Sequence, residues 1–407
     1  MDAKRTKEIL DGIEHEKIRE SAPDGFPALP PIPATRYTDE EFFNLEMTHL
    51  WKKSWVYAAH TDELPEKGSY VLWEQLGSPV LIIRGQDDQI RAFYNTCRHR
   101  GAPIVKDTAG RKKLFVCSYH GWSYDDEGNL IAMRDPRDFV DFDKSCHGLI
   151  PIRCDLFGKF VFVNFDDDAE PLDGYMSTIK QDMAIFQTEH MNLVHKSEFE
   201  VDCNVKVLLD AFQETYHLKS IHQNTVDRFL DHLGTYIELW PKGHSRMITP
   251  HRDANWVDPG VKGLPEVESV PEIGRINNFS YNIFPNIVCP PYPSGNSLII
   301  FWPISINKMK IEVIWVAPGE KTDDMQETWD MRIANFEKIL EEDTQFAAEI
   351  QKSVESDGFK GTPLSYQERR IYYWHETLDR LIGDENLPDG TAVTPLLDKY
   401  VYDPYAN

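Results

Sequence analysis

The first half of the chain carries its hydrophobic residues in short runs that are separated by polar and turn-forming ones. Between about residues 55 and 165, runs rich in β-branched and aromatic residues are each bounded by Gly, Asp or Pro, which is the pattern of short strands. The runs are SYVLWEQ, PVLIIRG, QIRAFYN, KLFVCSY and FGKFVFVNF. This pattern predicts a small, mostly antiparallel β domain, which we place at residues 50–168.

The pattern changes after residue 168. Helical periodicity at residues 173–190 and 207–222 is followed by strand-like runs, and a long helix is predicted at about 324–354. The strand-like runs are NNFSYNIFPNIV, NSLIIFWPI and KMKIEVIWVA. We therefore expect residues 169–407 to form an α+β domain in which helices cover an antiparallel sheet.

The first 49 residues precede both predicted domains. A charged helix is predicted at about residues 4–20, and the stretch APDGFPALPPIPA follows it at residues 22–34. Proline and small residues favour an extended conformation there. Residues 1–49 are therefore expected to form a helix and an arm that packs on another domain or subunit.

Composition and charge restrict the class of function. The 407 residues include 67 acidic and 43 basic side chains, and the formal net charge of -24 repels nucleic-acid phosphates and anionic lipid headgroups. The N-terminus is charged, and no run approaches the roughly 20 apolar residues of a membrane span. We expect a cytoplasmic protein that binds neither nucleic acid nor membrane. Six cysteines are too few for a disulfide scaffold, which favours metal binding or a reduced core.

Two Cys/His pairs lie on neighbouring predicted turns. Cys97 and His99 form the first pair, Cys117 and His120 form the second, and a glycine follows each histidine within two residues. Each turn thus offers one Cys and one His, which suits a Rieske 2Fe-2S cluster because two Cys hold one iron and two His hold the other. Tetrahedral zinc and four unrelated core residues are the alternatives.

These motifs resemble a known family, the oxygenase α subunits of Rieske non-haem iron oxygenases. The matching segments are CRHRG and CSYHGWSYDDEGNL, and the resemblance extends from about residue 40 to the end of the chain. It implies an α+β protein with an N-terminal all-β Rieske domain and a C-terminal helix-grip, START-like catalytic domain. It also implies two cofactors, a 2Fe-2S Rieske cluster and a mononuclear Fe(II).

The stretch FQETYHLKSIH offers two ligands for the second iron. Non-haem Fe(II) oxygenases use two His and one carboxylate. His217 and His222 are five residues apart, about 140° around an ideal helix, so the helix must be distorted or end between them. We predict this break in the stretch LKSI. In the family the matching histidines are iron ligands; a solvated glutamate and two core histidines are the alternative.

A third ligand is predicted on the long helix. Its apolar residues form a stripe in which position 343 is the one missing member: Ile333, Phe336, Leu340, Ala347 and Ile350. Asp343 should therefore point inward, whereas Glu341 and Glu342 fall off the stripe. An inward carboxylate is costly unless a metal or a cation compensates it, so Asp343 is the predicted ligand, with a buried Arg or Lys partner as the alternative.

The resemblance assigns a catalytic role to Glu214. In the family, the matching carboxylate hydrogen-bonds a cluster histidine of the neighbouring subunit, which implies a homotrimer, with or without accessory β subunits. Two positions depart from the family pattern: Val205 stands where a tryptophan is usual, and Ala211 where an asparagine is usual. In some relatives this asparagine lies near the iron, so the resemblance implies that the contacts around the iron differ in this chain.

The expected activity is that of a terminal oxygenase. No GxGxxG fingerprint follows a strand, so electrons from NAD(P)H should come from a separate reductase, directly or through a ferredoxin. A basic segment beside the cluster motifs is a candidate docking site, with a solvated loop as the alternative: Arg98, Arg100, Lys106, Arg111, Lys112 and Lys113.

The expected reaction uses O2 to mono- or dioxygenate, or oxidatively demethylate, an apolar or aromatic molecule. The sequence FQETYH resembles the monooxygenases of the family more than its dioxygenases. Four residues are expected near the substrate cavity: Phe279, Ile283, Phe284 and Phe301. A Rieske electron carrier without oxygenase activity and a zinc-stabilised ligand-binding protein are the alternatives from other classes.

Overall fold

The computed structural model describes residues 1–320 and 322–406, and the chain forms two compact units. One unit is Lys52–Tyr175; the other combines Met1–Trp51 with Met176–Asn407. The N-terminal segment thus folds together with the second half of the chain. Its helices are α1 (Ala3–Ile18), α2 (Thr35–Thr38) and α3 (Glu40–Leu45).

A buried ion pair explains why the N-terminal segment joins the larger unit. Arg5 on α1 donates through one terminal nitrogen to Glu238 at 2.8 Å and through the other to the second oxygen of the same carboxylate. Arg246 also donates to Glu238, so this carboxylate is compensated from two sides. Because a buried charge is costly without such partners, the pair fixes α1 at this place.

The Lys52–Tyr175 unit is built from short antiparallel strands, as predicted. They are β1 (Val56–His60), β2 (Ser69–Trp73), β3 (Val80–Arg84), β4 (Ile90–Tyr94), β5 (Ala109–Arg111), β6 (Phe115–Val116), β7 (Ser123–Tyr124), β8 (Leu130–Ala132), β9 (Pro151–Phe157) and β10 (Phe160–Asn164). Seven form a sheet in the order β1-β10-β9-β4-β3-β2-β5, and β6-β7-β8 form a small second sheet. Apolar side chains between them form one core, which includes both cysteines of the CRHRG and CSYHGW motifs.

The larger unit contains an eight-stranded antiparallel sheet. Its strands are β11 (Asn192–Val201), β12 (Tyr236–Leu239), β13 (Ser245–Pro250), β14 (Asn277–Ile283), β15 (Ile287–Cys289), β16 (Pro291–Tyr292), β17 (Gly295–Ser305) and β18 (Lys308–Ala317). The order is β11-β18-β17-β15-β14-β13-β12, and β16 pairs with β17. The predicted fold class, a β domain followed by an antiparallel sheet with covering helices, is confirmed.

Helices cover this sheet in shorter pieces than the sequence pattern predicts. A short helix, α4 (Leu172–Tyr175), belongs to the Lys52–Tyr175 unit. The helices of the larger unit are α5 (Ser177–Met183), α6 (Val205–Ala211), α7 (Leu218–Ile221), α8 (Gln326–Thr344), α9 (Ala347–Val354) and α10 (Arg369–Ile382). The single long helix predicted at 324–354 is therefore wrong, because it is interrupted after Thr344. The helical stretches predicted at 173–190 and 207–222 are also interrupted, and for the second of these a break was expected. Within the described residues, no helix has both the length and the apolar character that a membrane span requires.

Candidate metal centres

The two Cys/His turns of the smaller unit have the same backbone hydrogen bonds. The N–H of Cys97 donates to Ala102 and that of Gly101 back to Cys97, at 2.8 and 3.0 Å. In the second turn the N–H of Cys117 donates to Trp122 and that of Gly121 back to Cys117, at 2.8 and 2.9 Å. Both glycines have positive φ, 75° and 74°, which this closure requires and which other residues adopt at a cost.

The side chains of these turns converge as a cluster site requires. The Nδ1 atoms of His99 and His120 lie 3.1 Å apart, and the thiols of Cys97 and Cys117 are buried in the core. Burial raises the pKa of the Cys97 thiol, and the hydroxyl of Tyr124, 3.4 Å from its sulfur, opposes this shift. Two inner sulfurs and two outer nitrogens fit a 2Fe-2S Rieske cluster.

Two aromatic neighbours of this site were not singled out from the sequence. Tyr124 contacts the sulfur of Cys97, and Trp122 stacks on His99 with ring centroids 4.9 Å apart and planes within 10°. Both residues stand in the motif text CSYHGWSY, so their position beside the ligands was the available signal. Their packing restricts the orientation of His99 and supplies a hydrogen bond to one sulfur, the kind of contact that tunes a cluster.

In the larger unit, three predicted iron ligands meet. The Nε2 atom of His222 lies 2.9 Å from an Oδ1 of Asp343, and the Nε2 atom of His217 lies 3.6 Å from the same oxygen. One ligand atom from each of the three residues can be chosen so that all lie within 4.8 Å of one another. Two histidines and one carboxylate at this separation fit a mononuclear Fe(II).

The helix around the two histidines is interrupted at a different place from the one predicted. A break within LKSI is wrong, since these residues form the single helical turn α7. The interruption lies before it, between Ala211 and His217. His217 precedes the turn and His222 follows it with non-helical dihedrals, φ -100° and ψ 26°. Because neither histidine is inside the helix, ideal helical spacing does not limit them.

A carboxylate holds the remote nitrogen of each histidine. The Nδ1 atom of His217 lies 2.5 Å from Glu214, and the Nδ1 atom of His222 lies 2.7 Å from Glu342. Glu342 also accepts from the hydroxyl of Thr225 at 2.7 Å. Carboxylates in this position fix the tautomer and ring orientation of a ligand histidine. Glu214 thus contacts His217 of its own chain.

Charge at this site follows from the same contacts. Burial lowers the pKa of His217, but hydrogen bonding and charge from Glu214, together with Asp343, raise it above its ordinary value. His222 behaves in the same way: burial lowers its pKa, and Asp343 and Glu342 raise it overall. The surrounding carboxylates therefore create a negative site that a divalent cation would neutralise.

Glu342 is a site residue that the sequence pattern missed. The predicted stripe continued from α8 into Ile350, and that prediction is wrong: Ile350 is 43% exposed. The helix is interrupted at Gln345 and Phe346, so the 3.6-residue period does not run through both halves. On an ideal helix Glu342 lies about 100° from Asp343, off the predicted stripe, so the hydrophobic pattern offered no signal for it.

A cavity of about 150 Å³ adjoins the three ligands. Asn278 and Ser280 of β14 face it, whereas Phe279 lies on the opposite face and packs on Phe186, with ring centroids 5.4 Å apart. None of the four predicted cavity residues lines this cavity, and Phe301 packs on Phe212 instead. That prediction is wrong because side chains alternate along a strand, and both faces of β14 are buried.

A larger outer cavity of about 530 Å³ continues from the inner one. The two cavities share lining residues from four parts of the chain: Val226, Leu230, Asn278, Pro290, Phe336 and Ile339. On another side, an apolar groove reaches His217 and Asp343 and is lined by exposed Phe346 and Ile350. Ala211, which stands at the family's asparagine position, lines both this groove and the inner cavity.

Comparison with known proteins matches a known domain family to each of the two units. The family model of the Rieske 2Fe-2S domain matches residues 54–143, and that of the ring hydroxylating alpha subunit (catalytic domain) matches residues 188–384. The chain is 24% identical to the glycine betaine monooxygenase oxygenase subunit of Pseudomonas aeruginosa, over 82% of this chain and 84% of that one. It is 26% identical to the carnitine monooxygenase oxygenase subunit of Acinetobacter baumannii, over 84% and 91%.

The fold is also similar to that of solved structures. A quaternary ammonium Rieske monooxygenase in complex with L-carnitine superposes with a TM-score of 0.73 at 21% identity, over 90% of this chain and all of that one (100%). At this low sequence identity, the structural similarity is evidence for the fold alone. Together with the two family models, it identifies the architecture of a Rieske oxygenase α subunit.

The chain belongs to the Rieske non-haem iron oxygenases, as the oxygenase subunit. It is an oxidoreductase that carries a 2Fe-2S Rieske cluster and a mononuclear iron. As the terminal component of its system it takes electrons from a reductase or ferredoxin and acts with O2. This assignment excludes the zinc-stabilised binding protein and the simple electron carrier.

Proposed function

We propose that the residues which converge in each unit are the ligands of the two cofactors. The cluster ligands would be Cys97, His99, Cys117 and His120, and the iron ligands His217, His222 and Asp343. The observation that carries this proposal is the meeting of His217, His222 and Asp343 from two distant segments within 4.8 Å. When bound, the cluster supplies single electrons and the iron supplies O2 activation.

Metal analysis of separate variants tests the assignment. Anaerobically purified protein should contain about three irons and two acid-labile sulfides per chain and show a Rieske EPR signal. H217A should lose one iron and keep the EPR signal, whereas C117A should lose the signal. Retention of the third iron by H217A, with the fold intact, would contradict the ligand assignment.

We propose that Glu214 connects the two kinds of centre across a subunit interface. Its carboxylate holds Nδ1 of His217, and its neighbour Tyr216 is an aromatic side chain left 72% exposed. The exposed Phe346 and Ile350 line the apolar groove that reaches His217. Apolar side chains clustered at the surface support burial against another subunit. We infer a homotrimer, with or without accessory β subunits.

Solution mass and single-turnover kinetics test this interface. Light scattering should give three chains per particle. E214Q should keep its iron and cluster but transfer electrons from cluster to iron more slowly, in a stopped-flow experiment that follows reoxidation of the cluster. A monomer that transfers electrons at the rate of the wild-type assembly would contradict the proposal.

We propose that the basic segment at residues 98–113 receives the electron donor. Arg100, Lys106 and Lys113 are exposed, whereas Arg111 is paired with Glu66 and Lys112 lies over the ring of Tyr70. A positive patch on a strongly acidic protein favours an acidic ferredoxin or reductase domain. Charge reversal at Lys106 and Lys113 should slow reduction by the donor and weaken its salt dependence; an unchanged salt dependence would contradict docking here.

We propose a small organic substrate with an apolar or aromatic body, oxidised by monooxygenation. The inner cavity is lined mainly by apolar side chains, and its roughly 150 Å³ is the size of an engineered apolar cavity that binds benzene. A screen with a surrogate reductase, which measures product formed per NADH consumed, tests this class. Uncoupled NADH consumption with every apolar compound would contradict it.

One observation favours a second class, quaternary ammonium compounds such as those named in the relatives. The outer cavity is lined by several aromatic rings, which attract cations through their faces: Phe229, Trp256, Tyr292, Trp315 and Phe336. Including carnitine, glycine betaine and choline in the same screen decides between the two classes.

A further inference from the structure

One cationic side chain of the outer cavity has no ion-pair partner among the residues that the structure describes. Arg332 is only 7% exposed and lies on the face of α8 that also carries Phe336, Ile339 and Asp343. Positions 332, 336, 339 and 343 are spaced by four, three and four residues, which keeps them on one face. Eleven residues of helix separate Arg332 from Asp343 by about 16 Å along the axis.

The partners of the Arg332 guanidinium are neutral. Its two terminal nitrogens donate to the backbone carbonyls of Ser294 and Gly295 at 3.2 and 3.3 Å, and its carbon lies over the rings of Trp315 and Trp329 at 5.4 and 5.1 Å. A guanidinium has five N–H groups, so these contacts leave donors unused. Burial lowers the pKa of Arg332, and the charge of Asp258 opposes this only in part.

The balance of charge around this cavity is opposite to that of the protein. Arg228, Arg332 and Lys338 line the cavity together with a single acid, Asp258, in a chain whose net charge is -24. The carboxylate of Asp258 accepts the N–H of Gly260 at 2.8 Å, and among the described residues no carboxylate forms an ion pair with Arg332. A positive cavity wall with a buried, uncompensated cation favours an anionic ligand.

We propose that the substrate is an organic carboxylate whose anionic group binds Arg332 in the outer cavity while its apolar end lies in the inner cavity beside the iron ligands. The inference rests on the proposed function and names its substrate class. Guanidinium binds a carboxylate through charge-assisted hydrogen bonds, and Trp315 with Phe336 provides an apolar wall for the body of the molecule. The inner cavity, lined by three carboxylate or imidazole ligands and apolar side chains, receives the carbon to be oxidised.

Binding of a matched pair of probes tests the proposal without turnover. Titration calorimetry on the anaerobic protein, without reductase, compares 8-phenyloctanoate, which is long enough to reach from Arg332 into the inner cavity, with its neutral amide. The wild-type protein should bind the acid about tenfold more tightly or better, as expected for a buried charge-assisted hydrogen bond. Equal affinities for acid and amide would overturn the proposal.

Two variants locate the effect. R332Q should lose the preference for the acid while its affinity for the amide stays the same. R228Q removes the same charge from an exposed position of the same cavity wall and should keep most of the preference. A preference that survives in R332Q would overturn the role of Arg332. If R332Q does not fold, R332K takes its place, and a preference as strong as that of the wild type would overturn the role of the guanidinium fork.

Metal analysis of the same samples separates this inference from the proposed function. Protein with three irons per chain that binds acid and amide equally would remain an oxygenase with a different substrate class. Protein that prefers the acid but holds no iron at His217, His222 and Asp343 would keep the anion site and lose the proposed ligand set.

Discussion

The two candidate metal centres of this protein are built in opposite ways. The cluster site uses two copies of one local turn, each closed by the same pair of backbone hydrogen bonds and each supplying a Cys and a His. The iron site joins a single helical turn to the end of a distant helix, and carboxylates hold the remote nitrogens of its histidines. A site encoded in local turns can be recognised from a motif, whereas a site assembled from distant segments depends on how the chain folds between them.

The largest effect should come from removing the ligand that the distant helix supplies. D343A should lose the mononuclear iron and with it product formation, because among the described residues only the carboxylate of Asp343 meets both histidines. The Rieske EPR signal should persist, since all four cluster ligands lie in the other unit. Iron analysis, EPR and product assays measure this. Simultaneous loss of the cluster in a folded D343A protein would show that the centres are not independent.

Lowering the pH should destabilise the larger unit, because Glu238 becomes protonated. The charges of Arg246 and Arg5 outweigh burial and lower the pKa of this carboxyl to about 2, against 4.5 ordinarily. The stabilisation of about 3 kcal/mol is complete above pH 4.5 and is lost as the pH falls toward 2, with about 2 kcal/mol lost between pH 5 and pH 3. Urea unfolding followed by tryptophan fluorescence at both pH values measures this.

The matched variant for this prediction is E238Q, which cannot titrate at that position. Its free energy of unfolding should be lower at pH 7, because Arg5 and Arg246 lose their shared partner. Its loss of stability between pH 5 and pH 3 should be smaller than that of the wild type by about 2 kcal/mol. An identical pH dependence in the two proteins would refute the assignment to Glu238.

A smaller effect is expected at the carboxylate behind His222. E342Q should weaken Fe(II) binding by about ten- to hundredfold, because the amide is a weaker acceptor for Nδ1 of His222. E341Q is the control, since Glu341 is the exposed neighbour on the same turn. Competition with an iron chelator measures the affinity of each variant. If E341Q loses as much affinity as E342Q, the effect is one of surface charge.

The smallest effect should come from the turns of the cluster site. An added Cβ at Gly101 or Gly121 meets no atom within 4 Å, so only the positive φ opposes a substitution. G101A and G121A should each cost about 1–2 kcal/mol. Cluster retention on mild heating, read from visible absorbance, measures this. G358A, at an open position where φ is not positive, should behave as the wild type; an equal loss in that variant would refute the conformational explanation.

The difference between the sites also decides what the sequence could reveal. The residues that converge in each unit were predicted because they are rare residue types at fixed spacings or fill one gap in an apolar stripe. The positions of the helix breaks were not predicted, because no Gly or Pro follows α6 at Ala211 or α8 at Thr344. Phe279 was placed on the wrong side because β14 is buried on both faces, so the hydrophobic pattern does not identify the side that faces the cavity.

The common face of α8 has a consequence for regiochemistry. One end of this face carries the buried cation Arg332 and the other end carries Asp343, with Glu342 and Glu214 beside the histidines. With a divalent iron bound, the charge of these three carboxylates would exceed that of the metal, and the inner end would be negative. An elongated anion would therefore be repelled at the inner end and attracted at the outer end. A ligand of that kind enters in one orientation. If the proposed carboxylate binds in this way, the bond that reacts would be selected by its distance from the carboxylate group, and the spacing of Arg332 and Asp343 on α8 would set that distance.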